Sequence, residues 1–331
     1  MKYAVYGLGN ALVDKEFEVS DEFLAQNGIE KGFMTLIDEP RQHELLANLQ
    51  QTFGLKKRTG GGSGANSIVA ISQFGGKTFY ACKVAQDEAG EFYASDLAKA
   101  GVKTRVNELN VQGVTGKCLV MVTEDAERTM NTFLGITSDL SERDLFLDEL
   151  KAAEYLYIEG YLVTSDVSRN AVMKARQVAR DNHIKIAMTF SDPSMAKYFQ
   201  AGLQEMMGDG LDLLFCNEEE LLTFTNTPDL MTAVQSLHPL VKKMVITRGA
   251  KGALVVNGDH HLDIAAVPTK AVDTNGAGDI FAGAFLYGVT HDLSDEQAGR
   301  LASLSASKMV SIYGARLSAE EHQEILKQVV R

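Results

Sequence analysis

Tyr3-Ala-Val-Tyr-Gly-Leu8 is a short apolar run that reads as a first, buried strand, and its exit, Gly7-Leu-Gly-Asn10, leaves Asn10 and Asp14 near that strand's carboxyl end. Ligands of open α/β sheets bind at such ends. Working outward, the pattern repeats in Tyr155-Leu-Tyr-Ile158, Ile184-Lys-Ile-Ala-Met188, Leu211-Asp-Leu-Leu-Phe215, Met244-Val-Ile-Thr247 and Ala253-Leu-Val-Val256, with helical stretches such as Ser168 to Asp181 and Asp229 to Leu237 between them. Strands alternating with helices predict an α/β fold, a doubly wound, mostly parallel sheet flanked by helices. Two regions break the rhythm, 15–39 and 103–135. In the second, Lys117-Cys-Leu-Val-Met-Val122 and Arg128-Thr-Met-Asn-Thr-Phe133 flank Thr123-Glu-Asp-Ala-Glu127 in the form of a hairpin. The expected organisation is a core of 1–14, 40–102 and 136–331 under a small β-rich lid of 15–39 and 103–135, one folding unit with a hinged cleft.

The 331 residues are 45% apolar and 23% charged, the composition of an ordinary globular protein. A net charge of −12 argues against binding nucleic acid or an anionic membrane, without forbidding a local basic pocket. The first residues make no secretory signal and no stretch approaches the length of a membrane span, so a cytoplasmic protein is expected. Cys82, Cys118 and Cys216 are odd in number and far apart, which predicts reduced core cysteines. His260 and His261 lack partners at metal-ligand spacing and read as a solvated turn after Asn257-Gly-Asp259.

The chemistry is concentrated in Asp273-Thr-Asn-Gly-Ala-Gly-Asp279, which opens the apolar stretch Ile280-Phe-Ala-Gly-Ala-Phe-Leu-Tyr287. A helix starting here exposes backbone N–H groups and its positive dipole end, and with no side chain at Gly276 or Gly278 and a methyl at Ala277 an anion can approach the main chain. Asp279 conflicts with that anion and reads as a base aimed at a hydroxyl beside a phosphate. The plain alternative is a first-turn acid, stabilising by roughly 0.3–1 kcal/mol through the dipole. A second glycine cluster, Gly60-Gly-Gly-Ser-Gly-Ala-Asn66, precedes the amphipathic Ser67 to Phe74 and offers Asn66 to polyol hydroxyls; a flexible loop explains it about as well. Asn217-Glu-Glu-Glu220 is either a solvated acidic first turn or a place for Mg²⁺ held through its waters, and Thr247-Arg-Gly-Ala-Lys-Gly252 is either a hairpin turn or a nucleotide phosphate loop. Other signatures fail: Leu12 stands where a dinucleotide fingerprint needs its third glycine, Ile71 where a P-loop needs glycine, and Gly61-Gly-Ser63-Gly-Ala65 lacks the last glycine of a nucleophile elbow.

Together these segments resemble the PfkB/ribokinase family of carbohydrate and nucleoside kinases over nearly the whole chain. Within it the adenosine kinases are the most similar, through Gly9-Asn10-Ala-Leu-Val-Asp14, Gly61-Gly-Ser63 with Asn66-Ser67, Thr115-Gly116 and the Asn275 form of the closing motif. The resemblance implies a ribokinase-like fold with Asn10, Asp14, Gly61, Gly62 and Asn66 at the acceptor's hydroxyls, Asp279 as catalytic base, and the amides of Gly276, Ala277, Gly278 and Asp279 as an anion hole. It implies that Asn217, Thr247 and Gly249 contact the nucleotide, that Glu220 stands near Mg²⁺, and that Arg128 neutralises the transferring phosphate. It permits a K⁺ near Asp273, Asn275 and the Gly314-Ala-Arg-Leu-Ser318 segment. Where adenosine kinases commonly present paired aromatics, this chain has Tyr161 followed by Leu162, after a Glu159 without a family role. The expectation is Mg·ATP-dependent phosphorylation of a primary hydroxyl on adenosine or a related ribonucleoside, by a monomer or homodimer. A ribose- or fructose-type sugar is the alternative acceptor, and a catalytically silent sugar- or nucleoside-binding regulator the alternative class.

Overall fold

The computed structural model describes residues 2–330. Its strands, in chain order, are β1 (Tyr3–Leu8), β2 (Leu12–Glu18), β3 (Met34–Leu36), β4 (Lys57–Gly61), β5 (Thr78–Ala81), β6 (Gly116–Val122), β7 (Arg128–Phe133), β8 (Ala153–Ile158), β9 (Lys185–Thr189), β10 (Leu211–Asn217), β11 (Val241–Thr247), β12 (Ala253–Asn257) and β13 (His260–Ile264). Eight of them form one sheet in the order β13-β12-β11-β10-β9-β8-β1-β5. The six from β11 to β5 run parallel and the β12–β13 pair closes the edge antiparallel, which is the doubly wound sheet the sequence predicts.

Both faces of this sheet are covered, as parallel sheets require. Side chains alternate along each strand, so Tyr6, Leu8, Leu156, Ile158, Ile186 and Met188 fill one apolar layer with helix Asp166–Asp181, whereas Val5, Tyr157, Ala187, Phe215 and Val245 fill the other with helices Ser63–Phe74 and Ala277–Thr290. The last two helices pack very closely: a Cβ added at Gly283 would sit 2.5 Å from the Ser67 carbonyl oxygen and 2.9 Å from the Ala70 Cβ.

The remaining strands form a five-stranded sheet, β3-β7-β6-β2-β4, in which β6 and β7 are the expected antiparallel hairpin. One face, with Phe17, Leu119 and Met121, packs against Leu45 and Leu49 of helix Glu39–Thr52. The sequence reading counted 40–102 with the core, but β4 and this helix belong to the smaller sheet. Lys57-Arg-Thr is polar and half-buried, so β4 has no apolar signature of its own and is created by antiparallel pairing with Leu12–Glu16 of β2. His260 and His261 also differ from the reading. The turn lies before them, and they start β13 as exposed partners of Asn257 and Val256. The three cysteines are unpaired and buried, as predicted. No helix among the described residues is long and apolar enough to cross a membrane.

Candidate active site

A cavity of about 730 Å³ is lined on one side by the carboxyl ends of β1, β8, β9, β10 and β11 and on the other by the smaller sheet. The parallel strands fix this arrangement, since every chain exit there carries a polar residue: Asn10, Glu159, Ser191, Asn217 and Thr247.

Asp279, on the first turn of helix Ala277–Thr290, faces the cavity half-buried. Its two carboxylate oxygens accept from Ser63 Oγ at 2.6 Å and Asn66 Nδ2 at 2.9 Å, and Ser67 Oγ donates to its backbone carbonyl at 2.9 Å. Burial raises its pKa above the usual carboxylate range, while the Ser63 and Asn66 hydrogen bonds and the cations Arg128 and Arg316 oppose that rise. The loop before it turns through Gly276, whose φ of 73° and contact with Ala315 leave no room for a side chain. In contrast, a Cβ at Gly278 would meet no atom within 4 Å, so open space lies directly over the first-turn amides. Gly278 and Asp279 keep N–H groups without intrahelical acceptors, whereas the Ala277 N–H points back to the Thr274 carbonyl at 3.3 Å. Asp273 is fully buried and accepts from Asn275 N at 2.8 Å and Gly314 N at 2.9 Å, so it anchors the loop.

The residues expected at an acceptor's hydroxyls, Asn10, Asp14, Gly62 and Asn66, line the same cavity as Asp279. Asp14 is buried on β2 with Oδ1 unpartnered, and burial followed by the neighbouring Glu16 pushes its pKa well up. Gly61 is a glycine because a side chain there would run into the Asp14 carboxylate. Gly62 caps the helix at φ 96°, its Cα facing the Asn10 carbonyl. Glu159, which had no sequence role, clasps these segments together: its carboxylate accepts from Asn10 Nδ2 at 2.8 Å, Gly64 N at 2.8 Å and Asn10 N at 3.3 Å. Burial lifts its pKa to about 7 against those three donors. The cavity face of the smaller sheet is apolar around Asp14, with Leu12, Met34, Leu36, Cys118, Met130 and Leu134. The Tyr161 ring joins this wall with its hydroxyl on Asp192 at 3.3 Å, while Leu162 turns into the core.

At the far end Asn217 and Thr247 are register partners on β10 and β11, next to Gly249 in the β11–β12 turn. Asn217 and Glu220 form a reciprocal capping box: Glu220 N donates to Asn217 Oδ1 at 2.7 Å, and the Glu220 carboxylate accepts from Asn217 N at 3.0 Å and Nδ2 at 2.9 Å. Burial raises Glu220 to about 8. A divalent cation beside it would favour the charged form. Arg128, at the start of β7, reaches between the two ends. It makes no ion pair among the described residues, and its Nη1 lies 3.5 Å from Met130 Sδ. Burial opposes its charge, but Tyr161, Asp192, Asp279 and Asp273 more than compensate and raise its pKa. Among the described residues no cluster of three or more His, Cys, Asp or Glu side chains could hold a metal.

Every site residue read from the sequence except Gly61 and Asp273 lines this one cavity, and those two shape it from behind. Ser63, Glu159 and Arg316 were missed as site residues. Only Ser63, inside the glycine cluster, had a local signal.

The chain matches the description "pfkB family carbohydrate kinase" over residues 34–322. Among solved structures it is similar to the adenosine kinase from Sinorhizobium meliloti, at 32% identity and a TM-score of 0.93 with 99% of each chain covered. It is similar to a probable sugar kinase from Rhizobium etli CFN 42, at 31% identity and a TM-score of 0.92 with 99% and 98% covered. A Saccharomyces cerevisiae adenosine kinase is 28% identical over 329 residues, covering 92% of this chain and 95% of that one.

Proposed function

The chain belongs to the pfkB family of carbohydrate kinases, and from that membership we propose that it transfers the γ-phosphoryl group of Mg·ATP to the primary hydroxyl of a ribonucleoside, adenosine first among them. The observation that carries this reading is the Asp279 carboxylate, held by Ser63 and Asn66 at the mouth of an anion-accepting helix start and inside the same cavity as Arg128, Asn217 and Thr247.

In this mechanism the acceptor's hydroxyl lies against Asp279, which takes its proton as the oxygen attacks phosphorus. The Gly276, Gly278 and Asp279 amides and Arg128 stabilise charge on the transferring group, and most of the remaining acceleration is positioning. Asp14, Asn10 and Asn66 orient the ribose. Asn217, Thr247 and Gly249 hold the donor, and Glu220 would stand beside the donor's Mg²⁺, which when bound would neutralise charge on the phosphates. The smaller sheet acts as the lid, bringing Arg128 over the site and excluding water.

The apolar wall of Leu12, Met34, Leu36, Met130 and Leu134 beside Asp14 favours a nucleoside. A bare sugar presents hydroxyls that such a wall would strand without partners, whereas a base buries its faces there. The free-sugar reading is kept by the equally similar Rhizobium etli kinase. ATP consumption against adenosine, other ribonucleosides, ribose and fructose tests both. Turnover with nucleosides only supports the proposal, turnover with sugars only replaces it by the alternative, and no turnover with any acceptor leaves a binding protein. Repeating the assay in K⁺ and in tetramethylammonium checks the cation expectation at Asp273 and Asn275.

A further inference from the structure

We infer that Arg316 is a positioning residue for the phosphotransfer: it fixes which way the Asn66 amide faces, and so keeps an N–H rather than a carbonyl oxygen on the Asp279 carboxylate. The inference rests on Asp279 being the base.

Arg316 follows the last strand by some fifty residues and lies between helices Asp295–Met309 and Ala319–Val329. Its guanidinium is nearly buried. Nε donates to Asn66 Oδ1 at 2.9 Å, and Nη1 pairs with Asp96 of helix Glu88–Lys99. The slot is tight: a Cβ at Gly60 would lie 3.3 Å from Nη1.

An asparagine amide is nearly symmetric in shape, and its orientation is set by what its neighbours can donate or accept. A guanidinium has donors only. The Asn66 atom facing Arg316 must therefore be oxygen, and the atom facing Asp279 Oδ2, at 2.9 Å, must be the nitrogen. Asp96 in turn holds the guanidinium, giving a chain Asp96–Arg316–Asn66–Asp279 that spans three helices and the C-terminal segment. Were the amide reversed, its oxygen would face the carboxylate and its NH₂ the guanidinium, and both hydrogen bonds would be lost.

The consequence is a base that stays ionised. The charged and titratable groups around Asp279 are Arg128 from the smaller sheet, Arg316 from the C-terminal segment, Asp14 from β2, and Glu159, Tyr157 and Tyr161 from β8 and its exit. The acids among them oppose a second negative charge, so a donor and a cation on the Asn66 side count directly.

The test is the pH dependence of kcat with Mg·ATP and whichever acceptor is turned over, in the full-length protein and in Arg316→Lys, Arg316→Gln and Asn66→Ala. Glutamine can accept as well as donate and releases the orientation. Arg316→Gln is expected to move the acid limb up by about one pH unit, a roughly tenfold loss below the limb that fades above it, with KM for ATP unchanged. Arg316→Lys keeps a donor-only cation and should hold the limb within about 0.3 unit. In an Asn66→Ala background Arg316→Gln should move it much less, because the relay is already gone. A Gln variant that loses thermal stability but keeps the wild-type limb overturns the inference, and so does a Lys variant displaced as far as Gln. If Arg316→Gln does not fold, the Lys profile and the Asn66→Ala limb decide: no upward shift in Asn66→Ala overturns it. Undiminished turnover in Asp279→Asn would instead sink the base assignment itself.

Discussion

As the proposed base Asp279 would have to be ionised, yet it is placed where burial favours its neutral form, and two hydrogen bonds and two cations supply the counterweight. Replacing it by asparagine keeps the Ser63 contact in outline and removes the proton acceptor. Asp279→Asn should lower kcat by about 10²–10⁴ while leaving ATP binding measurable by calorimetry; near-normal turnover would remove the base assignment. Arg128 is the unpaired cation on the cavity wall, so its charge is available to a phosphate. Arg128→Ala should cut kcat by about 10²–10³ and move KM for ATP far less, and a selective loss of ATP binding would place it on the donor instead. Glu159 carries a different signature. Its folded pKa is raised from 4.5 to about 7, so the folded state holds a proton that the unfolded chain releases. Stability from this group is complete below about 4.5 and is lost as pH rises through about 7, a swing of about 3 kcal/mol. Thermal melts at pH 5 and pH 8 should therefore separate, and Glu159→Gln, which still offers Gly64 N an acceptor, should narrow the gap. Melts that separate equally in both proteins would contradict the assignment.

The contact between helices Ser63–Phe74 and Ala277–Thr290 is what brings Ser63, Asn66 and Ser67 onto Asp279, and Gly283 is the point where it is closest. Gly283→Ala overpacks that crossing by one methyl. A loss of about 1–3 kcal/mol in denaturant unfolding is expected, together with a fall in kcat larger than the change in KM for ATP; a variant of native stability would mean the helices can slide apart freely. The same elements show what was legible beforehand. Each helix start announced itself locally, in Gly60-Gly-Gly-Ser-Gly-Ala-Asn66 and Asn275-Gly-Ala-Gly-Asp279, and the apolar runs of β1, β8, β9, β10 and β11 were visible because parallel strands are buried on both faces, as was that of antiparallel β12, whose Ala253 to Val256 are all buried. Strand β4 was not visible, since Lys57-Arg-Thr is extended only by virtue of its partner. His260 and His261, the exposed start of β13, were taken for a turn for the same reason. Nor could local pattern reveal Arg316, which meets Asn66 across 250 positions, or the grip of Glu159 on Gly64 across 95. Such pairings are created by sheet order and leave no periodic trace in the chain.

At the scale of the whole molecule the two sheets divide the task. The large one brings polar strand ends to the cleft, and the small one presents β2, β3, β6 and β7 with alternate residues inward, so that Leu12 and Asp14, or Arg128 and Met130, share a face. Acids outnumber cations along the cleft and the chain carries −12 overall, so an anionic donor is disfavoured unless it arrives with its own divalent cation. The wall of the smaller sheet beside Asp14, by contrast, is mostly apolar, with Leu12, Met34, Leu36, Cys118, Met130 and Leu134 around Thr132. Leu36 and Leu134 line the cavity on the side of the smaller sheet. Under the nucleoside reading they cover the base, and changing either to serine removes apolar contact worth about 1–2 kcal/mol. Leu36→Ser and Leu134→Ser should then each raise KM for adenosine about tenfold and leave KM for ATP within a factor of about two. Adenosine kinetics indifferent to both substitutions would argue that the base does not lie there and shift the acceptor toward the sugars.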